Sequence, residues 1–318
     1  MRQRKLGCIL IFFSLWSGTG ALAQSDMSMV THWFNRANYN PAFITRTEYI
    51  YAFANARQQW TGIDGAPQVL NVQLSGYVHD LRSAFGLSFV SDKIGLTQTY
   101  SPMLIYAYRI AKDQDWSLSM GISAGMFMHS IDGSRFDAEI INDPSLHYVK
   151  EKVSRPDAHA GIEFLSEHFI FGFSSTHLFS IGKPDDLLLN TNHRYAYAIY
   201  KNNNLKLLFY KVGLQVVNRN NLTVAEGNIM VRFKHPTGLI RGPREIFEFG
   251  LTCRSSRQMA CMAGLMLTPN LRIGYAYDQS FLPGYNRNGT HEILIEYRIF
   301  SKMASTRVRC GDELFWYH

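Results

Sequence analysis

Apolar and polar residues alternate with a period of two along most of this chain. The clearest run is 114–128, Gln-Asp-Trp-Ser-Leu-Ser-Met-Gly-Ile-Ser-Ala-Gly-Met-Phe-Met. One face carries Trp116, Leu118, Met120, Ile122, Ala124, Met126 and Met128. The other carries Asp115, Ser117, Ser119, Gly121, Ser123 and Gly125. Successive side chains of a strand point to opposite faces, so this is a strand with one apolar face, longer than soluble strands usually run. An apolar face backed by Ser and Gly suits a sheet with lipid outside and a wet or tightly packed lumen inside.

The same pattern, bounded by turn residues, predicts fourteen strands near 47–57, 67–79, 82–92, 96–110, 114–128, 157–166, 168–178, 192–201, 204–218, 221–234, 245–254, 257–268, 270–280 and 290–300. Leu70, Val72 and Leu74 alternate with Asn71, Gln73 and Ser75. Phe169, Phe171 and Phe173 alternate with Ile170 and Gly172. Ile293, Ile295 and Tyr297 alternate with Leu294 and Glu296. The alternation is weakest over 192–234. An even number of antiparallel strands can close with no free edge, which the bilayer demands because it offers no water to an unpaired strand. The expected fold is therefore an all-β transmembrane antiparallel barrel of about fourteen strands over 47–300. Tyr pairs 106/108, 195/197 and 275/277 are placed at the lipid headgroups, and Phe300 closes the last strand.

Connection lengths orient it. With the N-terminus in the periplasm, the longer links 58–66, 129–156, 179–191 and 281–289 face outward, and the short links at 80–81, 111–113, 167, 202–203 and 269 face inward. The basic loop 235–244 is the long inward exception. Segments 24–46 and 301–318 flank the barrel on the periplasmic side, where either can plug the lumen or hold a partner.

The N-terminus fits export. Arg2, Arg4 and Lys5, an apolar run from Leu6 to Trp16, and Ala21-Leu22-Ala23 form a signal peptide over 1–23, with cleavage before Gln24. Net charge is +7, of which the signal peptide holds +3, leaving +4. That modest excess is no footprint of a nucleic-acid binder. With Cys8 removed, Cys253, Cys261 and Cys310 remain, an odd number that argues against a disulfide framework. Cys253 and Cys261 flank a tight hairpin; they either meet across it or stay free thiols.

Catalytic, cofactor and metal signatures are missing. Asp157, His159 and Glu163 share one strand face, and Asp278 with Ser280 lies near another strand end. Together they offer the raw material of a hydrolase triad, but polar side chains facing a lumen are expected in any barrel. His291-Glu292 supplies two potential ligands, too few for a metal site. Partner contacts are sought instead at Trp33 and Phe34 before the barrel, and at Arg57, Trp60 and Asp64 around the first outer loop. Arg135, Phe136 and Tyr148 in 129–156, with Arg241 and Arg244 in or beside 235–244, complete the set. A Trp beside Arg is either a binding anchor or a rim residue of the interfacial belt.

Several segments, in order, resemble the PorP/SprF family of the type IX secretion system of Bacteroidota, with the greatest likeness to the PorP branch. They are Phe34-Asn-Arg-Ala-Asn-Tyr-Asn40-Pro41-Ala42, similar to the family's phenylalanine-asparagine-proline-alanine opening, Arg57-Gln-Gln-Trp60-Thr-Gly, and Gly86-Leu-Ser-Phe-Val-Ser-Asp92-Lys-Ile-Gly95. Pro156-Asp157-Ala-His-Ala-Gly161, Phe171-Gly172-Phe-Ser-Ser-Thr-His177-Leu, Arg272-Ile-Gly274-Tyr275-Ala-Tyr277-Asp278 and Gly289-Thr-His291-Glu292 follow. The resemblance implies a non-enzymatic outer-membrane barrel without cofactors. It also implies partners among the periplasmic ring components and an OmpA-like peptidoglycan-binding protein and, in some relatives, cargo bearing a type B C-terminal domain. The tail 301–318 runs past the family's usual end. The alternative is a passive porin or lipid-type transporter, against which the sparse charge expected on the lumen face already speaks. A lipid-hydrolysing barrel using Asp157 and His159 is a third reading.

Overall fold

In the computed structural model, β1 (Tyr49–Gln58) hydrogen-bonds to β2 (Gln68–Val78) on one side and to β14 (Thr290–Phe300) on the other. Around the ring between them run β3 (Ser83–Ile94), β4 (Thr97–Lys112), β5 (Trp116–Asp132), β6 (Lys150–Ser166), β7 (Phe169–Thr176) and β8 (His193–Asn202). Then come β9 (Leu208–Arg219), β10 (Leu222–His235), β11 (Arg244–Arg254), β12 (Gln258–Met266) and β13 (Leu271–Ser280). Each strand pairs with its sequence neighbours, and the result is a closed barrel. The structure describes residues 29–46, 49–112, 116–133, 150–181, 191–202, 208–219, 222–235, 244–268, 270–281 and 289–300. The expected signal peptide and tail, with Arg135, Phe136, Tyr148 and Arg241, lie outside them, and of Arg244 only the backbone is described.

Period-two patterning becomes an inside-out barrel. Leu70, Val72 and Leu74 of β2 are exposed while Asn71, Gln73 and Ser75 are buried, and on β14 Ile293 and Ile295 point outward against inward Glu292, Leu294 and Glu296. On β5, Met120, Ile122 and Met126 face out and Ser117, Ser119 and Ser123 face in. Apolar side chains on the outer surface cost nothing in hydrocarbon, and the ladder satisfies the backbone. All fourteen expected strands form.

The largest difference is β6, which starts at Lys150 rather than near 157. Its register with β7 begins only at Ala160, whereas its register with β5 runs back to Lys150. Pro156 therefore sits on an edge where its missing N–H removes no ladder bond, so it does not mark a strand start. The 129–156 connection shrinks to 133–149 as this hairpin extends past its neighbours. Tyr195 and Tyr197 also depart from the headgroup expectation: both are buried in the lumen, with Ala196 and Ala198 on the other face. Cys253 and Cys261 are free thiols; Cys253 stands opposite Met259 and Cys261 opposite Leu251, two positions apart along the hairpin.

Candidate functional site: a lumen filled by the N-terminal segment

Residues 29–46 thread the barrel lengthwise. Two ends are distinguished by their connections: the loop end carries 59–67, 133–149, 177–192 and 281–289, and the turn end carries tight links such as 79–82 and 167–168. Near the loop end, the backbone N–H groups of Val30 and Thr31 donate to the two carboxylate oxygens of Glu292 at 2.9 and 3.0 Å. Near the turn end, the Thr45 hydroxyl meets that of Ser119 at 2.6 Å. Between them lie two 3-10 turns, Thr31–Trp33 and Pro41–Arg46. Pro41 suits the first position of the second turn, and the Asn40 side-chain oxygen accepts the Ala42 N–H at 3.1 Å, a local bond that fixes the bend.

The segment is packed, not merely lodged. Val30, Trp33, Phe34 and Tyr39 join one apolar cluster with Ile199, Val217, Met230 and Leu294 of the wall. Ala37, Phe43 and Ile44 join another with Ala84, Ile105 and Ala107. Tyr39 stacks on Tyr195 at 4.6 Å between ring centroids and donates to Gln215 at 3.1 Å. Two wall glycines make room. A Cβ on Gly121 would stand 2.4 Å from the Ala42 backbone nitrogen, and one on Gly213 would stand 2.3 Å from the Trp33 ring.

Polar contacts tie the segment to an ionic lumen. The Trp33 indole N–H donates to Glu226, and His32 Nε2 lies 2.8 Å from the same carboxylate. Glu226 accepts from Arg254 at 2.5 Å, Arg254 donates to Asp278 at 2.7 Å, and Asp278 lies 3.7 Å from Arg57, which also donates to Glu292. This relay links β10, β11, β13, β1 and β14 and touches the segment at both Glu226 and Glu292. A second network joins Arg232, Glu248, Arg272 and Glu296 through contacts of 2.9, 3.3 and 3.4 Å. Beside it, Lys211 Nζ donates to the Trp33 carbonyl at 3.2 Å. On the far wall, Arg36 lies 3.4 Å from Glu163 and over the rings of Phe43 and Tyr197.

Paired charges thus replace the sparse charge expected of the lumen. Trp33 and Phe34 are buried against the wall and present no surface to a partner while the segment is in place. Arg57 points into the lumen, whereas Trp60 is half-buried in the 59–67 loop at a φ of 47° and Asp64 is exposed there. Arg57 and Trp60 therefore do not form one surface. His291 and Glu292 point to opposite faces: His291 meets the Tyr275 hydroxyl at 2.6 Å outside, and Glu292 serves the plug. The groups weighed as a triad are split, because Asp157 and Asp278 stand on β6 and β13, seven strands apart in a fourteen-strand ring. Glu226 and Arg254 were not singled out from sequence, and Tyr197 was expected at the headgroups rather than in the lumen. The available signal was opposite charges recurring at inward positions of neighbouring strands.

Such a molecule is a transmembrane barrel of the outer-membrane type whose bore is closed by its own chain. The model of the family described as "Type IX secretion system membrane protein PorP/SprF" matches residues 21–297, so the chain belongs to that family and to the outer membrane. No curated protein matches it. Among solved structures it is similar to a Pseudomonas aeruginosa FadL homologue at 12% identity, covering 82% of this chain and 93% of that one, with a TM-score of 0.45. It is also similar to the Acinetobacter baumannii outer membrane protein Omp33 at 8% identity, covering 79% and 99%, with a TM-score of 0.44.

Proposed function

We propose that this chain is a non-enzymatic scaffold of the type IX secretion machinery, a rigid barrel that anchors the apparatus or its secreted cargo to the membrane. The observation that carries this is the filled lumen: a bore packed with a tethered segment and crossed by buried ion pairs is built to be stiff, not to conduct. In this reading the turn end faces the periplasm and meets the periplasmic ring and an OmpA-like, peptidoglycan-binding partner. His235 and Arg244, which bound the basic 235–244 connection, and Phe300, the last described residue, stand at that end of their strands. The loop end faces outward, with 59–67, 133–149 and 177–192 as contact surfaces for cargo bearing a type B C-terminal domain. In this orientation Val30 sits toward the outer side, and 29–46 takes the lumen-plugging role, one of the two expected of segment 24–46.

The test is affinity purification from detergent-solubilised outer membrane, paired with a deletion strain. Recovery of type IX ring components and loss of cargo export support the proposal. Their absence with normal export refutes it. The porin reading predicts steady ion conductance by the intact chain, and the filled bore argues against it.

A further inference from the structure

One cluster of chemically active side chains belongs neither to the plug nor to its ionic relay. At the loop end, on the wall formed by β6 and the end of β7, Asp157, His159 and His177 converge. The Asp157 Oδ2 atom lies 2.6 Å from His177 Nδ1 and 3.4 Å from His159 Nε2. One donor atom from each of the three lies within 4.8 Å of the others. The two imidazoles sit edge to face with centroids 5.0 Å apart. His177 is held in the left-handed region, at φ 53° and ψ 52°, a conformation uncommon for a residue with a Cβ and one that aims its ring back into the lumen beside Asp157.

The geometry points to a binding site for a single first-row transition dication of the zinc class, ligated by Asp157, His159 and His177. Two imidazole nitrogens and one carboxylate oxygen are the ligands such ions take, whereas calcium and magnesium select oxygen alone. Metal–ligand bonds of about 2.0–2.1 Å in tetrahedral array put donor atoms roughly 3.3 Å apart. The Asp157–His159 separation already has that value. The Asp157–His177 separation needs to open by about 0.7 Å, and the two imidazole nitrogens, within 4.8 Å of each other, need to draw together by up to roughly 1.5 Å, movements that rotation of the two rings supplies. Phe127 packs edge-on to His177 with centroids 6.2 Å apart, and His193 does so at 5.7 Å, so aromatic walls shield the site on two sides. His193 is itself held by Thr191 at 3.0 Å. A bound ion would fasten β6 to the start of the 177–192 connection, stiffening one of the surfaces proposed for contact with cargo. The site does not depend on that role.

The experiment uses the mature chain in detergent, without a histidine tag, stripped with chelator and titrated with Co(II) and then Zn(II). The expected result is one Co(II) per barrel with tetrahedral ligand-field bands in the visible, displaced by Zn(II). His159→Gln and Asp157→Asn should each weaken binding at least ~10-fold, the loss that even an outer-shell change can cause. His291→Gln, on the outer face, should leave it unchanged. Folding of each variant is checked by heat-dependent gel migration. Should the variants fail to fold, Zn(II) must protect His159 and His177 of the unaltered chain from diethyl pyrocarbonate, read by mass spectrometry. Absence of the bands, equal affinity in folded His159→Gln, or no protection of the two histidines overturns the inference.

Discussion

Glu292 accepts the backbone N–H of Val30 at 2.9 Å, across 262 positions of sequence, and its carboxylate also receives the Arg57 guanidinium. One side chain on the closing strand thus holds both the seam and the plug. Glu292 and Arg57 are almost completely buried, so each needs the other. Glu292→Gln keeps the volume but leaves the Arg57 charge only Asp278, 3.7 Å away and already paired with Arg254, so the loss should approach the about 3–5 kcal/mol of a buried pair broken from one side. The midpoint of heat-dependent gel migration should fall, and proteolysis within 29–46 should appear. An unchanged midpoint would show that the pair is not buried as described.

Gly121→Val tests the plug without touching a charge. Its Cβ would collide with backbone at Pro41 and Ala42, which cannot swing aside as a flexible side chain can. The barrel should still form, because Gly121 contributes only its backbone to the ladder with β4 and β6. In an Ala37→Cys background, maleimide should not label the buried position 37 until Gly121→Val is added.

Trp33 and Trp60 should behave differently. Trp33 is buried, donates to Glu226 and rests on Gly213, so Trp33→Ala opens a cavity and removes a donor to a buried carboxylate. Large-to-small changes of this kind cost about 3–5 kcal/mol. Trp60→Ala, at a half-buried position of the largely exposed 59–67 loop, should move the same melting midpoint far less. Equal shifts would contradict the packing described.

The outer face is tested at Leu104, which is 66% exposed on β4. Leu104→Arg should lower stability in vesicles by about 2–4 kcal/mol if the position lies near the bilayer midplane. Denaturant-dependent refolding into lipid measures it, and a neutral result would mean that this face does not meet hydrocarbon.

The strands were legible because lipid outside and polar groups inside give a strict two-residue period, as on β2, β5 and β14. Legibility failed where the plug intervenes. On β8 and β9 the inward face carries Phe209 together with Tyr195, Tyr197, Ile199 and Val217, which share an apolar cluster with the segment, so the inward face is apolar too and the alternation weakens. Pro156 misled because its strand edge has no partner there. The relay through Glu226, Arg254, Asp278, Arg57 and Glu292 was hidden for another reason. Its members are scattered over five strands, and only the register that closes the ring brings them together. Nothing local in Val30-Thr-His-Trp33 says that it belongs inside a barrel rather than beside one.

Single-channel recording in planar bilayers tests the closed bore most directly. The intact mature chain should give no ion steps, and a chain lacking 29–46 should give them. Steady conductance by the intact chain, equal to that of the deletion, would contradict the account.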